Sequence, residues 1–490
     1  MEEFVNSVEN QSFQLHPVDT QSAFLNIPIQ FFFPNTSGSE DFMPSDVLKV
    51  GFYKALSRFP ILVGHLQPDK EGKTHVVVDR DNLNMPEYLE SQSSVHYETM
   101  RKSNFHWSAW PEGLATVSGI TTANSEGIIK LINVHVVRMQ ANSGLVLFVN
   151  IPHYVVDGVG YFAFAGLWGE MCRTGGRSAR QFCFDRSIIS QNIPDERKPL
   201  NKETTAIYTG FNPLADWLAW LSPKTRGWVL SKAQFSDGVS SSTFRVSRTR
   251  LDDLRAKVGQ HMDAEESAKV DDACILATLV AMMAAHAHRE CEEQNNQRKG
   301  LVASAIGGVT GLLKSLVIPE PTHRPVCMLS DLRKGLHLEH KNYTGNVLLP
   351  FNAPCPVAVL EAPIGPETLA HAARAVTRTY TSTDPPLIGS FVDMLTKNPY
   401  CFTRPMLFLQ NNPKAVVVTN EMEFAIYDVD FGYGRPEWAC AVPSFVANFV
   451  AIMPSPPPGI DIVVNIIMKA AVLEKIVANE YWQNIATLIY

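Results

Sequence analysis

Closely spaced cysteines are missing from this 490-residue chain: its eight cysteines are scattered and form no C-x-x-C pair. That argues against a zinc site or a disulfide framework and suits a reducing compartment. Basic charge is scarce, with 42 Lys and Arg against 49 Asp and Glu for a net charge of −7. It is also dispersed, so nucleic acid is not an expected partner. No run of 18 uninterrupted apolar residues occurs, which removes a membrane-spanning helix. The opening MEEFVNSVEN has no basic region followed by an apolar core, so no signal peptide is read there and a cytoplasmic location is expected.

What is present is enough sequence for more than one ordinary core. Two domains of roughly 200 to 250 residues are the natural division, with an interface between them to hold a site. Residues 13 to 175 alternate strand-like and helix-like pieces: IPIQFFF, the amphipathic SDVLKVGFYKALSRF, THVVVD, IIKLINVHVV and GLVLFVNI. Ala163 to Cys172 reads as helix, stopped at Thr174-Gly175-Gly176. From there to about Thr205 the sequence is polar and aperiodic, a long crossover expected to be ordered on the surface or functional. The second half repeats the mixture. STFRVSRTRLDDLRAKV reads as strand then helix, Asp271 to His288 as an Ala-rich helix, and NVLLPF, AVVVTN and IDIVVNII as strands. PSPPPG reads as a rigid turn and KAAVLEKIVANEYWQNIATL as a closing helix. The expected class is α/β in the mixed α+β sense. The expected domains are 1–205, including the crossover at about 175–205, and 206–490.

The candidate chemical centre is GLVLFVNIPHYVVDGVGYFAFAGLWGEM, where His153, Asp157 and Gly158 lie between an apolar strand and a helical stretch. An imidazole there sits where a rigid element ends, a good place for a base that takes a proton near neutral pH. Spacing alone is weak, because H-x-x-x-D occurs three times: His65 to Asp69, His75 to Asp79 and His153 to Asp157. Only the third is followed by Gly, where a tight turn is easiest. The bland alternative is a hydrogen-bonded structural histidine.

A second constellation is Asp430-Phe431-Gly432-Tyr433-Gly434, a loop whose glycines permit positive φ while its aromatics anchor it. A kinase reading of Asp430-Phe431-Gly432 fails, since there is no glycine-rich phosphate loop near the N-terminus and no H-R-D upstream.

Together these motifs resemble the BAHD acyltransferase family, with its H-x-x-x-D-G at one third of the chain and D-F-G-W-G near the end. The likeness covers most of the sequence. FQLHPVD is similar to the family's L-x-P-x-D start, LSRFPILVGHL to its L-x-x-F/Y-P-x-x-x-G-x-L segment, DLRKGL and YTGN to its D-x-R and Y-x-G-N elements. VDDACILATL and GIDIVVNI match a second-domain helix and the last strand. Tyr433 replaces the motif Trp, Pro152 stands where a second His is frequent, and Thr419-Asn420-Glu421 replaces T-S-W. These departures look like the fungal members that acylate secondary metabolites.

The resemblance implies two chloramphenicol-acetyltransferase-like domains with a channel between them and His153 midway along it. Acyl-CoA, acetyl-CoA above all, would enter from one face and a small-molecule alcohol from the other, with no metal and no permanently bound cofactor. It implies His153 as general base, Asp157 turned from the site and paired with Arg333, and Thr419 as donor to the thioester oxygen. The Asp430 to Gly434 loop would shape the CoA side, and Ser267 and Lys269 would meet CoA phosphates through helix N-terminal polarity. A monomer is expected. The competing readings are a carrier-protein-dependent or amide-forming transferase and a catalytically inactive binding relative.

Overall fold

In the computed structural model the first half of the chain forms strands β1 (Gln11–Gln14), β2 (Asn26–Pro34), β3 (His65–Pro68), β4 (Thr74–Val78), β5 (Glu87–Gln92), β6 (Asn133–Arg138) and β7 (Gly144–Pro152). Its two long helices are α1 (Ser45–Arg58) and α2 (Gly158–Thr174). The second half adds β8 (Val239–Val246), α3 (Arg248–Gly259), α4 (Ala264–Lys269), α5 (Asp272–Ala303), β9 (His323–Asp331), β10 (Leu348–Pro356), α6 (Pro366–Thr381) and β11 (Val416–Asn420). It ends with β12 (Trp438–Ala441), β13 (Phe449–Pro454), β14 (Ile462–Lys469), α7 (Ala470–Val477) and β15 (Ala486–Leu488). The residues described are 2–20, 25–71, 73–114, 119–200, 238–303, 322–381, 384–397, 415–441 and 447–490, together with 22, 202, 205, 221 and 225. The expected boundary at 205/206 lies at the edge of them.

Two apolar runs set the first sheet. β2 and β7 pair antiparallel from Asn26 opposite Pro152 to Pro34 opposite Gly144, and every residue of β7 is buried. Apolar residues on both faces of a strand require cover on both faces, and here α1 and α2 supply one side. Trp168 of α2 donates its indole N–H to Leu48 O of α1 at 2.8 Å and packs against Phe52. α2 begins at the N-cap Asp157, whose carboxylate accepts from Gly160 N, and ends where Gly175 turns left-handed at φ 67°, the expected stop. The sheet order is β12-β2-β7-β6-β5, so a strand from near the end of the chain completes the sheet of the first half.

The second sheet, of order β10-β9-β11-β13-β14-β8-β15, has two unlike faces. Val326, Met328, Val416, Val418, Val450 and Ile452 point into a core with α3, α5, α6 and α7. Alternation along each strand turns their neighbours the other way. Thr419, Ala451 and Met453 therefore face the first half, where Met453 packs against the core of the first sheet and Val463 joins the cluster of Phe32, Phe105 and Trp438. The seam between the sheets runs along this face.

The expected closing helix is corrected by the structure. α7 stops at Val477, Asn479 caps a short turn at Glu480–Gln483 by accepting from Trp482 N, and Ala486–Leu488 pairs with β8. An Asn that bonds the backbone ahead of it breaks an otherwise periodic run, and the free edge of β8 captures the residues beyond the turn. Among the described residues no helix is long and apolar enough to cross a membrane.

Candidate active site

His153 lies just after β7 in the turn before α2, held by its backbone N–H to Leu25 O at 2.8 Å. Its Nδ1 lies 2.7 Å from Oδ1 of Asn346, and its carbonyl accepts from Nδ2 of Asn346 at 2.7 Å. The same Nδ2 donates to Oδ1 of Asp19 at 3.1 Å, and Asn346 N does so at 3.0 Å. A carboxylate and a carbonyl only accept, so the amide orientation is fixed: Oδ1 of Asn346 must receive the proton of Nδ1. Nε2 is then the unprotonated nitrogen, available as a base. Burial holds the imidazole pKa below its ordinary value, and the nearby Asp157 charge and the Asn346 bond oppose that fall. At neutral pH the ring is uncharged.

Asp157 takes no part in orienting it. Its Oδ1 accepts from Arg333 at 2.9 Å and from Gly160 N at 3.1 Å, and its Oδ2 from Val347 N at 3.3 Å. Arg333 also binds Asp331 at 2.8 Å and the carbonyls of Tyr343 and Gly345. This fixes the start of α2 to the Tyr343–Val347 segment. Gly160 is required there, because a Cβ would stand 2.1 Å from Thr344 O. Gly158 lies under the ring of Phe424, which a Cβ would meet at 2.2 Å.

A further buried arginine, Arg186, comes from the crossover. It lies 3.5 Å from Asp19, donates to Val155 O at 2.6 Å and sits over the ring of Tyr343. Asp19 in turn accepts from His16 N at 2.9 Å, and burial lowers the pKa of His16 to about 4, leaving that ring neutral. Sequence reasoning misses Asn346, Asp19 and Arg186 as site residues. HPVD and YTGN stand out only as family markers, and nothing in the crossover distinguishes Arg186 from its neighbours.

Thr419 is buried on the face of β11 that looks across the seam, and among the described residues no side-chain hydrogen bond engages its hydroxyl. The Asp430 to Gly434 loop is a brace. Asp430 Oδ1 accepts from Gly432 N at 2.7 Å and Gly434 N at 3.2 Å, with φ of 98° and 102° at the two glycines. Phe431 is buried against Phe33 and Trp168, Tyr433 is exposed beside Phe42, and Arg173 holds the Asp430 carbonyl. The close approach to Gly169 puts the loop on the far half of α2, about 16 Å along the helix from Gly158.

Ser267 and Lys269, expected to meet CoA phosphates, stand in the second half of the chain just before α5. Both lie in α4, which packs with α3 and α6 on the helix-covered side of the sheet, opposite Thr419. Lys269 is paired with Glu265 at 2.6 Å, and Asp271 and Asp272 already occupy the start of α5. Among the described residues no cluster of His, Cys, Asp and Glu is placed to hold a metal.

Comparison with known proteins gives one family and a set of solved relatives. The family model described as Transferase family matches residues 5–216 and 261–482. F. graminearum TRI101 complexed with ethyl coenzyme A is 15% identical, with 98% of this chain and 100% of that chain covered and a TM-score of 0.68. F. sporotrichioides TRI101 complexed with coenzyme A and T-2 is 15% identical over 98% and 100% of the two chains, with a TM-score of 0.67. Vinorine synthase is 15% identical over 95% and 92%, with a TM-score of 0.57. Akuammiline synthase 1 of Alstonia scholaris is 48% identical over 33 residues, 7% of this chain, and the match spans only 8% of that relative's length. The solved relatives establish the fold as the mixed α/β type of those proteins.

The geometry carries two expected outcomes. Asp157→Ala and Arg333→Ala are each expected to destabilise the protein by about 3–5 kcal/mol, since either breaks a buried ion pair and its hydrogen bonds, while the double variant loses much less than the sum. Denaturant unfolding of the four proteins reads this, and additive losses would mean that the pair carries no interaction. Asn346→Ala is expected to lower turnover about a hundredfold through loss of ring orientation. It should also move the acidic limb of the pH–rate profile to lower pH, because the lost bond is one that raises the His153 pKa. An unshifted limb would show that Asn346 does not act on the imidazole.

Proposed function

The chain belongs to the Transferase family, the BAHD acyl-CoA-dependent acyltransferases, and from that premise we propose that it transfers an acetyl group from acetyl-CoA to a hydroxyl of a secondary metabolite, a terpenoid, alkaloid or polyketide, with His153 as general base. The observation that carries the reading is the fixed tautomer of His153, with Nδ1–H on Asn346 and Nε2 left to accept. TRI101, which shares the fold, has been crystallised with coenzyme A and T-2, a thiol cofactor and a small molecule together.

An alcohol of pKa on the order of 16 is a poor nucleophile at neutral pH, and removing its proton during attack is worth roughly 10²–10⁴ in rate. Nε2 of His153 takes that proton as the alcohol oxygen bonds to the thioester carbon. The carbonyl oxygen gains the negative charge, and the Thr419 hydroxyl is the donor aimed at it, a type of contact worth about 3 kcal/mol. Collapse breaks the C–S bond, and the leaving thiolate recovers the proton from the imidazolium. Thiolate leaves readily, so no covalent intermediate is required, and much of the remaining catalysis comes from holding both substrates on one imidazole. The reading includes a monomer and a cytoplasmic location; the seven described cysteines, all free, suit the latter.

His153→Ala should remain folded and lose transfer by at least a hundredfold, read as thiol release from acetyl-CoA over a panel of hydroxylated metabolites alongside the melting temperature. For the unaltered protein the rate should rise with pH through a pKa below the usual imidazole value and then level off, because only the neutral ring accepts a proton. Activity of the variant within about tenfold would remove His153 as base.

Initial rates over a grid of both substrates should give intersecting double-reciprocal lines, the signature of a ternary complex. Parallel lines, or protein acetylated by acetyl-CoA alone and seen by intact mass, would establish a covalent acyl-enzyme instead.

A further inference from the structure

Glu421 is an ionisable group that this chemistry leaves unused. Its backbone N–H bonds Ile452 O at 2.8 Å, so the ladder between β11 and β13 continues through it. Alternation then puts its side chain on the face of Thr419, about 6.6 Å further along the strand and toward the first half of the chain. The surroundings on that face are apolar. Met453, on the same face of the adjoining strand, packs into the first-half core, and Phe424, three residues on, lies over Gly158 and packs against Phe162. Glu421 is only partly exposed, and among the described residues no cation or hydrogen-bond donor engages its carboxylate. Burial alone pushes its pKa up to about 7.

A carboxylate held against apolar side chains with no counter-charge is costly unless something else brings the charge. The seam is where the acceptor must lie to reach His153, and an acceptor with a protonated nitrogen supplies that charge. Phe424, three residues on in sequence, carries a ring of the kind on which an alkylated ammonium can rest. We propose, on the basis of the acyl-transfer reading above, that Glu421 is a specificity-determining residue which binds the ammonium of a hydroxylated amine, so that the natural acceptor is a basic, nitrogen-containing alcohol rather than a neutral one. A neutral alcohol of equal shape brings no counter-charge and leaves the carboxyl to take a proton, so the ion pair that favours the amine is lost.

The test uses two bicyclic probes of nearly the same shape, quinuclidin-3-ol, cationic at neutral pH, and neutral bicyclo[2.2.2]octan-2-ol, with the full-length protein and its Glu421→Gln variant. Thiol release from acetyl-CoA reads transfer, and the melting temperature with each probe reads binding. The ratio of kcat/KM for amine over alcohol should be at least tenfold in the unaltered protein and fall toward one in the variant. The amine should raise the melting temperature more in the unaltered protein than in the variant. Amine-specific stabilisation lost in the variant, without thiol release from either probe, would uphold the recognition role while removing acyl transfer. Equal turnover of both probes, unaffected by the substitution, would overturn the recognition role and leave acyl transfer standing. An amine that gives neither stabilisation nor turnover would overturn it too.

Discussion

The contact on which the site depends is the one between the Asn346 amide and His153. One side chain fixes the tautomer through its oxygen and the backbone through its nitrogen, and that nitrogen is itself held by Asp19. Every polar atom of the amide is satisfied by a partner that admits only one orientation. A fully satisfied buried network confines its members to one geometry, whereas a partly satisfied one loses both stability and precision. The imidazole therefore needs no neighbouring carboxylate to orient it.

This explains the division of labour between two carboxylates that sequence spacing alone confuses. Asp157, four residues after His153, spends its oxygens on Arg333, Gly160 N and Val347 N and so anchors the N-terminus of α2. Asp19, far off in sequence, reaches His153 through Asn346. A direct carboxylate on Nδ1 would stabilise the imidazolium more strongly than an amide does. The amide leaves burial dominant, and a ring with a lowered pKa stays neutral and ready to accept a proton.

Much of the fold was legible because long apolar runs and caps are local. IPIQFFF and GLVLFVNI read as strands and are β2 and β7, and the helix read from Ala163 to Cys172 stops at Gly175 as expected but begins earlier, at the cap Asp157. His153 and the pairing of Asp157 with Arg333 were legible through motif and resemblance. What escaped was non-local. Trp438–Ala441 is too short to announce itself and is a strand only because β2 offers it an edge. The Ala470 to Leu488 stretch keeps helical composition, yet Asn479 and the edge of β8 divide it. Asn346, Asp19 and Arg186 acquire meaning only when chain segments far apart in sequence converge.

The convergence also accounts for why the halves are tied so heavily. His153 sits at the seam, and a seam between two sheets is free to shear. Here the strand β12 crosses to the first sheet, Arg186 of the crossover enters the interior to meet Asp19 and Tyr343, and Arg333 joins Asp157 to the second half. Each tie uses backbone hydrogen bonds or buried charge, which lose their value steeply with displacement, rather than apolar contact, which tolerates sliding. Shear of about 1 Å would break several ties at once while also misplacing the imidazole. The apolar remainder of the seam, where Met453 and Phe424 pack against the first core, adds close contact without directional bonds.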